Sequence, residues 1–277
     1  MSLRPPDWLI YLSVVAALIG AAIIGQLHVA PPAGPPAAAP AHRPGGAPPP
    51  VSPFDPTITV DVPTVSGPGA GTAFSISSGG MWLTARHVVE GCARTAIVVA
   101  PGQGVAAEVR LDPRGETAVL ITQGGAPALP LAPRRSLGPG MVAFHAGFPH
   151  GHPGQVASRL IRRETLVLRG RRTRRESVLA WQEDADEGPV PRSLAGLSGA
   201  PALDAQGRVI GVTIAQSRRR GRIYTTTPAA LRAAIARAHI EPASGALAAP
   251  MSSGSYSRIS RDLRRDLRIV PVVCLGS

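Results

Sequence analysis

Between residues 57 and 228 the chain is written in short runs of Val, Ile, Thr and Ala that stop at Gly/Pro turns and start again. This repetition constrains its fold more than any other feature. GTAFSIS (71–77), MWLTA (81–85), TAIVVA (95–100), VAAEVRL (105–111) and TAVLIT (117–122) come first. MVAFHAGF, VASRLI, TLVLRG, SVLAWQ, APALDA, RVIGVTIA and RIYTTT follow. Branched side chains suit a pleated, half-buried surface, and about a dozen such strands at close spacing predict an all-β sandwich or pair of barrels. After Pro228, the stretch 231–240 has apolar residues at helical spacing and predicts one short helix.

The flanks are written differently. Trp8 to Leu27 is an uncharged, largely apolar run. At about 1.5 Å per residue, ~20 residues cross a hydrocarbon layer of roughly 30 Å. Trp8 and Tyr11 suit an interfacial position. A cleaved signal peptide is the rival reading, but its apolar region is about 7–15 residues long and ends at a small-x-small site. His28-Val29-Ala30 is a poor match to such a site. Residues 1–30 are therefore read as a transmembrane signal anchor, with Arg4 on the inner side and the bulk of the chain outside. In a bacterium that places residues 8–27 in the inner membrane and the rest in the periplasm. Residues 31–56 are rich in Pro, Ala and Gly, and form a semi-rigid spacer. A globular domain occupies 57–240, and 241–277 is a tail. In that tail Ile259, Leu263 and Leu267 make one stripe of an amphipathic helix that docks on its own domain, and IVPVVCL is a strand.

Composition removes several classes of function. An apolar fraction of 44% supports a packed core. Two cysteines are too few for a disulfide scaffold or a four-thiolate zinc site. The net charge of +12 comes entirely from arginine, with no lysine in the chain. The arginines fall in scattered groups (162–163, 171–175, 218–220 and 261–268) without interleaved aromatics for base stacking. They read as solvated surface, and no nucleic-acid partner is expected.

Three segments carry chemistry, in the order His, acid, Ser. TAFSISSGGMWLTARHVVEGC delivers His87 from a strand into a short helical turn. LDPRGETAVLIT places Glu116 just before an apolar strand. SLAGLSGAPALDAQGRVIGV holds Ser198 in a glycine-flanked turn. Each alone has a bland reading: a core histidine, a solvated edge carboxylate, a glycine loop. Together they match a chemical need. A serine hydroxyl requires a base, an imidazole can serve near neutral pH, and a carboxylate fixes the imidazole tautomer. Glycines beside the serine let the amides of Gly196 and Ser198 aim at a developing oxyanion. The Ser-first order of α/β-hydrolases does not fit.

These motifs resemble bacterial trypsin-like serine proteases of the chymotrypsin fold, in the style of the HtrA/Deg protease domain. The resemblance rests on Gly71–Phe74, Leu83–Val89, Asp112-Pro113 with Glu116–Leu120, Gly147-Phe148-Pro149 with Pro153-Gly154, and Gly196–Pro201 with Gly207–Val212. It covers roughly 57–240. It implies two six-stranded Greek-key barrels, with His87 as general base, Ser198 as nucleophile, and Gly196 and Ser198 as the oxyanion hole. The family usually has Asp where Glu116 stands. Glu116 is read as the third member, with Asp112 as fallback. A degraded site, leaving a protein that binds envelope polypeptides without cutting them, stays open as the alternative. The resemblance also implies a polypeptide substrate, no cofactor and no metal. Only about 37 residues follow the domain, too few for the family's usual PDZ module.

The substrate-lining strand is read as Thr213, Ile214 and Ala215 onward to Ser217, facing Tyr224, Thr225 and Thr226. Arg192, shortly before the nucleophile, is placed either at the base of the first-residue pocket or in a rim salt bridge to the acidic run 183–187. His145, His150 and His152 are expected in one exposed loop, with metal binding the lesser reading. Cys92 and Cys274 either pair in an oxidising compartment or remain separate thiols.

Overall fold

The computed structural model describes residues 55–61, 70–132, 136–169, 173–184, 194–243 and 249–276. The apolar run 8–27, nearly all of the 31–56 spacer and Arg192 lie outside the described residues. Among the described residues no helix is long and apolar enough to cross a membrane.

Thirteen strands and three short α-helices make up this part of the chain. In order they are β1 (Thr57–Asp61), β2 (Ala70–Ser77), β3 (Met81–Ala85), α1 (Arg86–Val89), β4 (Arg94–Ala100), β5 (Gln103–Leu111) and β6 (Thr117–Ile121). Then come β7 (Val142–Gly147), β8 (Gly154–Arg169), β9 (Arg174–Glu183), β10 (Pro201–Leu203), β11 (Val209–Ser217) and β12 (Arg222–Thr226). The chain finishes with α2 (Pro228–Arg237), α3 (Tyr256–Arg265) and β13 (Ile269–Leu275).

The first barrel is closed, in the order β13-β2-β3-β6-β5-β4. Its sixth strand comes from the end of the chain. β13 pairs antiparallel with β2 (Val272 opposite Gly71) and with β4 (Val272 opposite Ile97). The segment read from sequence as a tail thus supplies a wall of the barrel. Ala73, Trp82, Ile97, Leu120, Val270 and Val272 fill its interior.

The second sheet runs β8-β7-β10-β11-β12-β9, and β9 pairs back onto β8, so these six pairings return to their start. Trp181, Leu160, Leu179, Ile210 and Ile223 pack inside. A larger cluster lies between the two barrels and continues under the helices, from Phe74 and Leu83 through Leu166 and Tyr224 to Leu231, Ile259 and Leu263. α3 buries Tyr256, Ile259 and Leu263 there, and Tyr256 stacks on Phe144 with ring centroids 5.1 Å apart. Leu267 falls beyond that helix, with φ +55°.

β8 corrects the strand count made from sequence. VASRLI and TLVLR fall in one 16-residue strand, although Arg162, Arg163 and Glu164 interrupt the apolar pattern. A register shift between Leu160 and Arg162 absorbs the interruption, and Glu164 takes ion-pair partners from β8 and β12. The Glu164 carboxylate is fully buried against Arg162 (2.9 Å) and Arg222 (3.2 Å). Beyond that shift β8 and β9 continue as a hairpin, with β1 parallel on the free edge of β8.

Candidate active site

His87 stands in α1, a single helical turn that begins directly where β3 ends. Its neighbour Arg86 donates its amide to the Glu116 carbonyl at 2.9 Å. That bond sets the histidine turn beside the residue preceding β6. The Glu116 side chain is fully buried, and its Oε2 lies 3.3 Å from His87 Nδ1. A carboxylate on Nδ1 leaves Nε2 as the free ring nitrogen, the tautomer a general base needs.

Ser198 arrives from the second barrel on the loop between Leu194 and Ala200. Two glycines give that loop its shape, Gly196 with φ +94° and Gly199 with φ +90°. At Gly199 a Cβ would stand 1.9 Å from the Thr72 carbonyl oxygen and 2.3 Å from Thr84 Oγ1, so no side chain is tolerated there. β2 holds the loop from the other barrel. Thr72 donates its amide to the Ser198 carbonyl (2.8 Å) and its hydroxyl to the Gly196 carbonyl (2.8 Å). The Thr84 hydroxyl donates to the Thr72 carbonyl at 2.7 Å, which links the histidine strand to the same point. Gly71 lets the partners close in, since a Cβ there would meet Val88 Cγ1 at 2.5 Å and the Ser198 carbonyl at 3.1 Å.

The amides of Gly196 and Ser198 meet no acceptor among the described residues, while the amides of Leu197, Gly199 and Ala200 are all used. Two free, neighbouring donors beside a serine are what an oxyanion site requires. No hydrogen bond joins the His87 ring to the Ser198 hydroxyl among the described residues. Such bonds commonly tighten only when substrate is bound.

Below Glu116 lies a charged cluster that sequence reading missed. Arg174, at the start of β9, donates Nε to Glu116 Oε1 at 2.6 Å and Nη2 to Glu90 Oε2 at 2.9 Å. Glu90 also accepts from Arg86 at 2.8 Å. The Glu176 carboxylate accepts the Glu116 amide at 2.7 Å. Asp112 is gripped by Nε and Nη2 of Arg237, at 2.8 and 2.6 Å, and its carbonyl takes a bond from Arg86. Four carboxyls (Glu90, Asp112, Glu116, Glu176) thus share three guanidiniums. The surplus falls on Glu176, whose carboxyl burial pushes up to about 7. The hydrogen bond from Arg86 holds Glu90 below its ordinary value. Burial acts to lower Arg174, but the charge of Glu116 and then of Glu90 prevails and raises it. Asp112, the fallback acid, is committed to Arg237. The Arg171–Arg175 group was read as solvated surface, because an arginine run gives no sign of what it will face across a domain boundary.

The remaining expectations divide. Thr213 joins the nucleophile loop through its backbone, donating to the Ala200 carbonyl (2.9 Å) and accepting from Gly199 (2.7 Å). β10 pairs with β11 only as far as Val212, so from Ile214 onward that edge has no strand beside it among the described residues. The side chains expected to line the substrate, however, are in the core. Thr213 bonds His145 at 3.0 Å, and Thr225 accepts the Trp181 indole at 2.9 Å. Ile214, Ala215 and Tyr224 are buried with the apolar cluster between the barrels. Both faces of β11 are covered here, one by the interior of its own barrel and one by the apolar cluster between the barrels, so these side chains are buried while the β11 backbone edge stays open. On the rim, Glu183 is bound by Gln216 at 2.8 Å.

The histidine group separates too. His150 and His152 are exposed, but His145 is fully buried on β7 between Thr213 and Ser158 (2.7 Å). Burial lowers its imidazole to about 3, so it stays neutral. It belongs to the core, not to a loop. Among the described residues no cluster of His, Cys, Asp or Glu could hold a metal ion. Cys92, just past α1, and Cys274, in β13, are joined by a disulfide.

The trypsin-like peptidase domain model matches residues 71–212, half of the chain. Among solved structures, an inactive form of Rv3671c from M. tuberculosis H37Rv carrying a serine-to-alanine substitution is 22% identical. It matches over 62% of this chain and 83% of that one, with a TM-score of 0.50. The active form of the Rv3671c protease is 21% identical over 66% and 76%, with a TM-score of 0.49. The HtrA-type protease AlgW with a decapeptide is 22% identical over 61% and 51%, with a TM-score of 0.49. At these identities the structural likeness bears on the fold alone. No curated protein matches the chain. The family model and the His, acid, Ser geometry coincide on the same residues: this chain belongs to the trypsin-like peptidase family, a family of serine endopeptidases.

Proposed function

We propose that the protein is a membrane-anchored serine endopeptidase that cleaves polypeptides in the bacterial periplasm. The observation that carries this reading is the convergence of the two barrels. Glu116 lies 3.3 Å from His87 Nδ1, and Ser198 is fastened to the adjacent β2 through Thr72. In the proposed reaction a peptide lies along the open edge of β11 as an added strand. Ser198 Oγ attacks the scissile carbonyl while His87 Nε2 takes the hydroxyl proton. The carbonyl oxygen becomes an oxyanion facing the amides of Gly196 and Ser198. His87 then gives its proton to the leaving amine. Water attacks the acyl-enzyme, with His87 again as base, and releases the second product and free Ser198. Glu116 keeps the ring oriented and offsets the charge of the imidazolium.

A fluorophosphonate probe on the full chain tests this. The expected intact mass shows one adduct, absent from Ser198→Ala and from His87→Ala. Failure of the unaltered chain to label would reject catalysis and leave a protease-fold module that binds envelope polypeptides.

The anchor and the compartment are the finer part of the proposal. They rest on the apolar run 8–27 and on the Cys92–Cys274 disulfide, which suits an oxidising compartment. The chain should stay with membranes after an alkaline carbonate wash and be digested by protease added to intact spheroplasts. Protection from that protease would place the domain on the other side.

A further inference from the structure

Arg174 lies on the second barrel, yet both of its acceptors belong to the histidine side of the site. Its guanidinium reaches Glu116 Oε1 at 2.6 Å through Nε and Glu90 Oε2 at 2.9 Å through Nη2. Glu90 caps the turn that carries His87. One planar group therefore holds the partner of His87 and the helical turn bearing it. Its own side chain is 15% exposed, so these ion pairs are poorly screened by solvent.

The Glu116 backbone is pinned at both ends, its amide on Glu176 and its carbonyl on Arg86. Only the side chain can then adjust its reach. One carboxylate oxygen lies 3.3 Å from His87 and the other is taken by Arg174. An aspartate at this position would end about 1.5 Å shorter and could not span the same two partners.

We infer that Arg174 is a positioning residue for catalysis, which sets the reach and orientation of the Glu116 carboxylate toward His87 and makes the longer acid workable at this site. The inference rests on the proposed catalytic roles of His87 and Glu116. It assigns Arg174 no contact with substrate.

The charged surroundings of the pair are Arg174 and Glu176 from β9, Arg86 and Glu90 from α1 and its cap, Asp112 beside β5, and Arg237 of α2. Removing the one guanidinium bonded to Glu116 leaves the His87–Glu116 pair more negative. That pair then keeps its proton to higher pH, whichever member holds it.

The test uses the full chain with Arg174→Met, Arg174→Lys and Glu90→Gln, each checked for folding by thermal melting. Arg174→Met should lower kcat on a peptide substrate roughly ten- to a hundredfold, the scale of a misplaced catalytic group, with KM little changed. The acid limb of its pH profile should move to higher pH. Arg174→Lys should restore the limb and part of kcat, because the charge returns without the fork. Glu90→Gln keeps the bond to Glu116 but loosens Arg174, and its kcat should fall in between. In a double-mutant cycle, Arg174→Met should cost little more once Glu116→Asp has already lost the contact.

An NMR titration of the His87 ring in Ser198→Ala reads the same displacement without turnover. If the unaltered chain fails to label with the probe, the catalytic reading falls, while the NMR arm still tests the grip of Arg174. If the chain labels but Arg174→Met leaves kcat and both titrations unmoved, the inference is overturned. If Arg174→Met fails to melt cooperatively, Arg174→Lys and Glu90→Gln carry the test through kcat, and an undiminished kcat in both of these overturns the inference equally.

Discussion

Cys92 and Cys274 are covalently bonded although they lie 182 positions apart in sequence. One follows the His87 turn and the other sits in the strand that closes the first barrel, so the bond ties the end of the chain to the catalytic side of the molecule. Closing so long a loop restricts the unfolded chain strongly. Replacing both cysteines with serine is expected to cost about 2–5 kcal/mol of stability. For a domain of this size that is a drop of roughly 10 °C in melting temperature. Calorimetry of the double variant against the oxidised chain checks it, and an unchanged melting point would show that β13 holds without the bond.

Closure of the first barrel by β13 has a second consequence. Cutting the chain after residue 250 removes α3 and β13 together. It exposes the edges of β2 and β4, and the apolar interior around Ala73, Ile97 and Leu120. Such a fragment is expected to be insoluble or molten, with no probe labelling at Ser198. Hydrogen exchange and analytical centrifugation would read this directly. A soluble, hyperactive fragment would instead mean that the segment acts as a removable latch.

Gly199 is the tightest point of the site. With φ +90° and a virtual Cβ at 1.9 Å from the Thr72 carbonyl, Gly199→Ala has to move either the nucleophile loop or β2. The expected loss is about 3–5 kcal/mol, near the upper end for single substitutions. Probe labelling should disappear even at temperatures where the variant is folded. By contrast Gly102→Ala, at a left-handed turn with open space around it, should cost only ~1 kcal/mol and leave labelling intact.

What could be read from sequence, and what could not, follows the range of the interactions involved. Alternating Val, Ile and Thr runs announced β2 to β7 and β9 to β12, because a strand's two faces are a local property. His87, Glu116 and Ser198 were legible because each sits at a break between a strand and a tight turn. The joining of VASRLI to TLVLRG was not legible, since it depends on Glu164 finding Arg162 and Arg222 inside the sheet. The place of IVPVVCL in the first barrel was hidden for the same reason: a strand's composition does not name its neighbour. His145 looked like part of a polar loop by its spacing to His150 and His152, but the strand period turns it inward onto Thr213 and Ser158. Arg174 was missed because one arginine among several gives no hint of a carboxylate brought to it from the other barrel.

Two buried groups oppose one another in the dependence of stability on pH. Burial raises the Glu176 carboxyl from 4.5 to about 7, and its second oxygen meets no partner among the described residues. Across that window the folded chain keeps a proton that the unfolded chain has released, so stability falls as pH rises. His145 does the reverse. Its folded value of about 3 against 6.5 means the unfolded chain binds a proton that the folded chain refuses, so stability rises with pH until about 6.5. Between about 4.5 and 6.5 the two slopes offset each other. Glu176→Gln keeps an acceptor for the Glu116 amide and removes the first slope alone. Its stability relative to the unaltered chain should increase from pH 4.5 to 7 and then level off, with a total gain on the order of 3 kcal/mol. Urea unfolding at a series of pH values gives that difference curve. A difference that stays constant across the window would show that Glu176 is already ionised there in the folded chain.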